Sequence, residues 1–531
     1  MATEAPAAGM DLVMRTEARR QEASSVLGAA RRARLGQYFT PAPVADFIAS
    51  LVCTDALDTK NELHILDPGA GVGSLTASLV TRVLRHRPGM KITVTACEVD
   101  PLLHASLQAT LDDCARTARA VGGEVEVHLV GRDFITWATE EEGLFGRTRG
   151  PFDLVIMNPP YKKLAANSRE RKAVTAACTE TSNLYSAFLA LGIRLLSPGG
   201  QLLAITPRSF TNGLYFRPFR KYLLKRMEIN HLHVFESRNA VFADANVLQE
   251  NVIFSATRVE SADRGAVTVS TSRSHAGGIR SRTIRYEDMV HPADPESFLH
   301  IGIGEEDTEL AVVHAGLPSA LSGIGCQVST GRVVDFRSKE HLRPDPVAGA
   351  VPLIYPLHMR EGGIIWPVPE ARKSNAIMLN EETRKMTFPS GYYVVVKRLS
   401  SKEERRRVVA AVFDPEETPC ERIGFENHVN VFHRNGGGIM RDTARGLCLW
   451  LNSSLLDRFI RRFSGHTQVN ATDLRNLRYP SSSQLEALGR EWEPGVLSDQ
   501  AKIDDLVGRH VARGGEGRSG PPPMSSGLPV E

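Results

Sequence analysis

Ile65-Leu66-Asp67-Pro68-Gly69-Ala70-Gly71-Val72-Gly73-Ser74-Leu75 reads as the end of a strand, a glycine-rich turn and the start of a helix. Glycines let a backbone bend sharply and approach a ligand closely, with a helix N-terminus waiting beyond the turn. The spacing is G-x-G-x-G, not the dinucleotide G-x-G-x-x-G. Outward from this stretch the chain alternates β-branched runs with helical ones. Strands are expected at His64–Leu66, Ile92–Cys97, Val125–Val130, Phe152–Met157, Gln201–Ile205, Ile229–Phe235 and Val252–Ala256. Helices are expected at Leu75–His86, Leu102–Arg119 and Leu184–Leu196. Such alternation predicts an α/β fold with a mainly parallel sheet covered on both faces.

The rest of the composition sets bounds. The 531 residues are 42% hydrophobic and 24% charged with a net charge of +3, which excludes a mostly disordered chain and leaves nucleic-acid binding to local clustering. No apolar run approaches the roughly 20 residues of a membrane helix, and the N-terminus lacks a signal-peptide core. The seven cysteines include no C-x-x-C pair, so neither a disulfide scaffold nor a metal site is expected. These features predict a cytoplasmic protein with reduced thiols. Arg15 to Arg34 mixes Arg and Glu on an Ala-rich stretch and reads as a solvated helix, alternatively a DNA-facing one.

Glu98 follows the second expected strand. An acid there can accept hydrogen bonds from both ribose hydroxyls of a nucleoside cofactor. Asp133 follows the third strand and could accept from an adenine amino group, with Phe134 against the ring; a turn and a core aromatic are the alternative.

Asn158-Pro159-Pro160-Tyr161 directly follows the strand Phe152–Met157. By composition an accidental N-P-P-Y arises on the order of once per thousand chains of this length. Its chemistry suits an aromatic exocyclic amine, a poor nucleophile because its lone pair is delocalised. Asn158 Oδ1 can accept one amino proton and the Pro159 carbonyl the other, which favours sp³ character; proline holds that carbonyl in place. Tyr161 offers a ring face for stacking. Asn is no general base, so the amine must attack a strongly activated electrophile, such as the sulfonium methyl of S-adenosylmethionine, and shed its proton afterwards.

Together these motifs resemble the TaqI-type, gamma-class adenine-N6 DNA methyltransferases. The resemblance implies a Rossmann-like class I S-adenosylmethionine-dependent methyltransferase domain with a C-terminal mixed α/β target-recognition domain. Gly36-Gln37-Tyr38-Phe39-Thr40-Pro41 matches the family's first motif, which implies that Tyr38, Thr40 and Pro41 lie near the cofactor. Asp67, Pro68, Gly69, Gly71, Gly73, Glu98, Asp133, Phe134 and Asn158 match further cofactor motifs. Asn183-Leu184-Tyr185 and Thr206-Pro207-Arg208-Ser209-Phe210 continue the match. Phe242 falls where the family places an aromatic against the flipped base, with Phe235 and Phe254 as alternatives. The stretches Thr330–Arg337, Gly424–His428 and Ser464–Asn470 look like the recognition half of PstI/BsuBI-type modification methyltransferases.

The expected organisation is an N-terminal extension (1–30), a methyltransferase domain (31–260), a linker or irregular segment (261–310), a target-recognition domain (311–485), and a C-terminal helix with a flexible tail (486–531). In Lys397–Arg407 six cations accompany two acids, a patch suited to phosphates, with Arg405, Arg406 and Arg407 at its end. His466, Gln468 and Asn470 alternate and could share a base-contacting face. The expected partner is double-stranded DNA, with a separate, unbound restriction endonuclease implied; a monomer is expected. Competing readings are an N5-glutamine protein methyltransferase, an N4-cytosine DNA methyltransferase and a combined restriction-modification enzyme.

Overall fold

The computed structural model describes residues 4–511 apart from 29–30, 32–35, 141–149, 236–250, 261–263, 273–277, 293, 295, 302–315, 361–362, 401–403 and 464–467. Phe242, His466 and the expected tail therefore lie outside the described residues. The chain forms two compact units, Met1–Ile303 and Gly304–Glu531.

The first unit is built on nine strands: β1 (Glu62–Pro68), β2 (Lys91–Cys97), β3 (Glu124–Val130), β4 (Phe152–Met157), β5 (Leu196–Pro207), β6 (Met227–Phe235), β7 (Asn251–Arg258), β8 (Ala266–Ser272) and β9 (Arg280–Arg285). Their order is β3-β2-β1-β4-β5-β7-β6-β8-β9. Strands β3 to β5 in that row run parallel, and β7 inserts antiparallel between β5 and β6. Helices α1 (Glu4–Val26), α2 (Ala42–Ser50), α3 (Ser74–His86), α4 (Pro101–Ala120), α5 (Phe134–Thr139), α6 (Arg169–Ala177) and α7 (Leu184–Leu195) supply the outer layers.

β4 shows why the strands read as continuous apolar runs. Leu154 and Ile156 join a core with Leu79, Val80 and Val83 of α3, while Val155 and Met157 join another with Leu189 and Ile193 of α7. All four β4 side chains are buried because alternate residues meet helices on opposite faces.

Two expectations for this unit are corrected. The stretch read as an N-terminal extension contains α1, which docks on the domain. Leu12 is buried among residues of α3 and α4, and Ala23 and Leu27 cover Val72 of the glycine turn. The cations that suggested a solvated helix recur at i and i+4, so one face carries both Arg15 and Arg19. Arg19 Nη2 lies 2.6 Å and Arg15 Nε 3.2 Å from the fully buried carboxylate of Asp113 on α4. The segment read as a linker carries β8 and β9, which extend the sheet. Val267 and Val269 face the core while Ser and Thr fill the other positions, a period-2 pattern hidden by its polar composition.

The second unit holds a four-stranded sheet, in the order Gln327–Thr330, Val429–His433, Tyr393–Lys397 and Ala410–Phe413. A five-stranded sheet contains Ala350–Ile354 and Arg422–Phe425 as parallel neighbours. The helix Arg441–Leu451 packs on Ser482–Arg490 so closely that a Cβ on Gly446 would collide with the Leu485 carbonyl. The expected boundary at 485/486 thus cuts a helix belonging to the unit's core, and Gln500–His510 packs beside it.

Asp113 sits at the docking surface of α1. Asp113→Ala should destabilise the protein by about 1–3 kcal/mol, less than for a fully buried pair because the arginines retain solvent contact. A urea midpoint equal to wild type would show that α1 is not held by this carboxylate.

Candidate active site

The turn Gly69–Gly73 leaves β1 and enters α3, while Asn158–Tyr161 leaves β4 next to it. These neighbours in the sheet continue to opposite sides, with β2 and β3 beyond β1 and β5 beyond β4. That is the switch point where open parallel sheets bind ligands beyond their C-terminal edge. An open cleft lies there, lined among others by Tyr38, Gly71, Glu98, Asp133, Phe134 and Asn158.

Gly69, Gly71 and Gly73 all have positive φ (78°, 59° and 87°), which side chains with a Cβ adopt only under strain. Gly69 N and Ala70 N donate to the Cys97 carbonyl at 2.8 and 2.9 Å, tying the turn to the end of β2. Glu98 is held from both sides. Its Oε2 accepts from Gly71 N at 2.9 Å and its Oε1 from Asp100 N at 2.7 Å. Burial raises its carboxyl above the usual range despite these bonds. Asp67, fully buried, is raised to about 7, first by desolvation; its Oδ2 accepts from Thr76 Oγ1 at 2.6 Å. Pro68 ends β1 on the same turn.

Asp133 caps α5 through Oδ1, which accepts from Thr136 N at 2.8 Å. Phe134 is buried against Phe188 of α7, with ring centres 4.8 Å apart. Asp133 is thus a helix cap and Phe134 a core aromatic, and both line the cleft.

Asn158 is oriented by the first motif. Its Nδ2 donates to the Tyr38 carbonyl at 2.7 Å and to Thr40 Oγ1 at 3.0 Å. A carbonyl can only accept, so the amide's two ends are assigned by chemistry. Oδ1 is left on the opposite side, where the Tyr161 hydroxyl donates to it at 3.0 Å. Tyr161 N in turn donates to the Gly36 carbonyl at 3.3 Å. Pro159 is buried and Pro160 lines the cleft. Pro41 starts α2. Tyr161 stands 5.2 Å from Tyr38 and 6.3 Å from Tyr185, and Tyr185 5.3 Å from Phe216, ring centre to ring centre.

Sequence reasoning missed Phe39 and Phe188. Phe39 lies against Gly71 and Phe188 against Gly69, so each packs on a glycine of the turn. The one available signal was the aromatic pair Tyr185 and Phe188 at helical spacing.

The expected DNA contacts fare unevenly. Arg405 is exposed. Arg406 is half-buried, its Nη1 3.4 Å from Asn452 Oδ1. Arg407 is fully buried; its guanidinium donates to the Ser400 carbonyl and its backbone N to Asp457 Oδ1 at 2.6 Å. It has no path to a phosphate and is withdrawn from the set. Gln468 bridges Leu399, but Asn470 opens the helix Ala471–Arg475, its N donating to Asp473 Oδ2 at 2.8 Å. Asn470 itself keeps extended backbone, so Gln468 and Asn470 still alternate up to the helix start, and His466 lies outside the described residues.

Residues 122–242 match the family described as Eco57I restriction-modification methylase. The Type II methyltransferase M.PstI of Providencia stuartii is 40% identical over 495 residues, 93% of this chain and 96% of that protein. M.BsuBI of Bacillus subtilis is 43% identical over 486 residues, covering 90% and 94%. The chain belongs to this Type II methyltransferase family. The Type IIL restriction-modification enzyme MmeI, solved in complex with DNA, shares the fold at 11% identity, with a TM-score of 0.56 over 94% of this chain and 79% of that one.

S-adenosylmethionine is the family's methyl donor, and the cleft fits it. The glycine turn leaves room at the switch point, Glu98 is fixed at the end of β2, and two buried polar atoms lining the cleft, Gln37 Oε1 and Ser74 Oγ, have no partner among the described residues. Among the described residues no helix is long and apolar enough to cross a membrane.

Glu98→Ala should weaken S-adenosylmethionine binding by about 1–3 kcal/mol, through loss of a charged acceptor and release of the Gly71 and Asp100 amides. Titration calorimetry giving wild-type affinity would remove Glu98 from the cofactor site.

Proposed function

We propose that this chain transfers the methyl group of S-adenosylmethionine to the N6 amino group of an adenine swung out of duplex DNA, as the modification half of a type II restriction-modification system. The observation that carries the reading is the fixed amide of Asn158. With Nδ2 committed to Tyr38 and Thr40, Oδ1 is the end available to an incoming amine.

Bound in the cleft, S-adenosylmethionine supplies an activated methyl group. Asn158 Oδ1 accepts one proton of the target amine and the Pro159 carbonyl the other, so the lone pair turns toward the methyl carbon. Oδ1 accepts from the Tyr161 hydroxyl and keeps a second lone pair for the amine, and the Tyr161 ring serves as a stacking face. A base within a duplex cannot reach this cleft, so it must flip. Relatives of this chain carry names from restriction-modification systems, which supports DNA as the substrate and implies a separate endonuclease of the same specificity. Arg405, Arg406, His466, Gln468 and Asn470 remain proposed DNA contacts, and Phe242 a proposed wall of the base pocket. We read the protein as a cytoplasmic monomer.

Asn158→Ala should keep S-adenosylmethionine affinity near wild type while lowering methyl transfer to DNA by about 10²–10³, the effect of losing one aligned transition-state hydrogen bond. Labelled-methyl incorporation at the wild-type rate would refute the assignment.

A further inference from the structure

Four stretches of the second unit, far apart in sequence, are joined by main-chain hydrogen bonds. Gly331 N donates to the Val429 carbonyl and Asn427 N to the Val333 carbonyl, both at 2.9 Å. Arg398 N donates to the His428 carbonyl at 2.9 Å and Val469 N to the Arg398 carbonyl at 2.8 Å.

At the centre of this junction Glu426 is fully buried, and both its oxygens grip one residue. Oε2 accepts from His428 N at 2.8 Å and Oε1 lies 2.6 Å from His428 Nδ1. The carboxylate accepts, so Nδ1 carries a proton and Nε2 is the ring nitrogen left for an outside partner. The imidazole is 44% exposed, so a buried carboxylate is fixing the orientation of a side chain that meets solvent.

Polar atoms in the same junction are left without partners. Asn427 Oδ1, Arg398 Nε and Tyr355 Oη are buried and make no hydrogen bond among the described residues. Arg398 is nonetheless held in place by Nη1, which donates to the Asn427 carbonyl at 3.0 Å. Buried polar groups are normally satisfied, so such a group of orphans marks a surface whose partners come from outside.

The chemistry selects the partner. A phosphate needs donors alone, whereas this site sets an acceptor (Asn427 Oδ1) and the imidazole Nε2 of His428 beside a donor (Arg398 Nε), a mixture that matches the donors and acceptors of base edges in a groove. Exposed Arg337 and Lys339 lie on the adjoining 335–341 stretch and suit flanking phosphates. We propose that Asn427, His428 and Arg398 form a base-reading site for duplex DNA, with Glu426 as the positioning residue of His428 and Arg337 and Lys339 as phosphate contacts. The proposal rests on the reading of the protein as a DNA methyltransferase.

The test uses the full-length protein in a host without DNA methylation of its own, with methylated positions mapped by sequencing. Wild type should mark one sequence. His428→Ala and Asn427→Ala should each mark sequences differing from it at one base pair, with discrimination against those mismatches reduced about 10- to 100-fold. S-adenosylmethionine affinity should not change. Arg337→Gln with Lys339→Gln should weaken binding to all duplexes alike and flatten its salt dependence. Should His428→Ala mark nothing, His428→Gln decides: marking with altered discrimination supports the site, and no marking overturns it. A wild-type target read with unchanged discrimination by both Ala variants overturns this inference alone, as expected if the face binds a protein instead. A wild-type protein that marks no duplex overturns the underlying function as well.

Discussion

Two hydrogen bonds from Asn158 Nδ2, to the Tyr38 carbonyl and to Thr40 Oγ1, decide which end of that amide faces the reaction. The remaining architecture can be read as what is needed to make them. Asn158 must emerge from the C-terminal end of a central strand, so β4 is buried on both faces. The Gly36–Pro41 segment must cross the mouth of the cleft, so it runs beside Tyr161 and then enters α2. An amide free to rotate would present its NH₂ group to the target half the time and would repel the amine it is meant to aim.

The same economy holds on the cofactor side. Glu98 is anchored by one amide from the glycine turn and one from the start of α4, so β1, β2 and their two following helices fix a single carboxylate. Each oxygen keeps a second lone-pair direction for a ligand. Burial raises both Glu98 and Asp67, although His104 beside Glu98 works against the shift. The site therefore bears acidic groups whose charge is favoured by a positively charged ligand, and S-adenosylmethionine is one. The N-terminal helix belongs to this arrangement because Ala23 and Leu27 back the turn at Val72.

Much of this was legible in the sequence where the signal is local. Seven strands were legible as short β-rich runs, and N-P-P-Y pointed to the end of the strand that lines the cleft. What was not legible depends on contacts between distant segments. Nothing near Arg15 or Arg19 reveals that Asp113 awaits them, so a docked helix read as a solvated one. Arg405, Arg406 and Arg407 are equivalent as letters, yet they range from exposed to fully buried. Val267 and Val269 were too few among Ser and Thr to outweigh the look of a linker. Phe39 and Phe188 meet at the glycine turn from either side of it in the chain. Gly424–His428 could be recognised as a familiar phrase, but the grip of Glu426 on His428 appears only when the turn is folded.

The central claim is that this site methylates an exocyclic amine of adenine in DNA, aimed by Asn158. Mass spectrometry of nucleosides from duplex DNA treated with the purified protein and isotope-labelled S-adenosylmethionine tests it most directly. The account predicts label in N6-methyldeoxyadenosine, dependent on Asn158. Label confined to N4-methyldeoxycytidine, or found in protein glutamine with none in DNA, would contradict it.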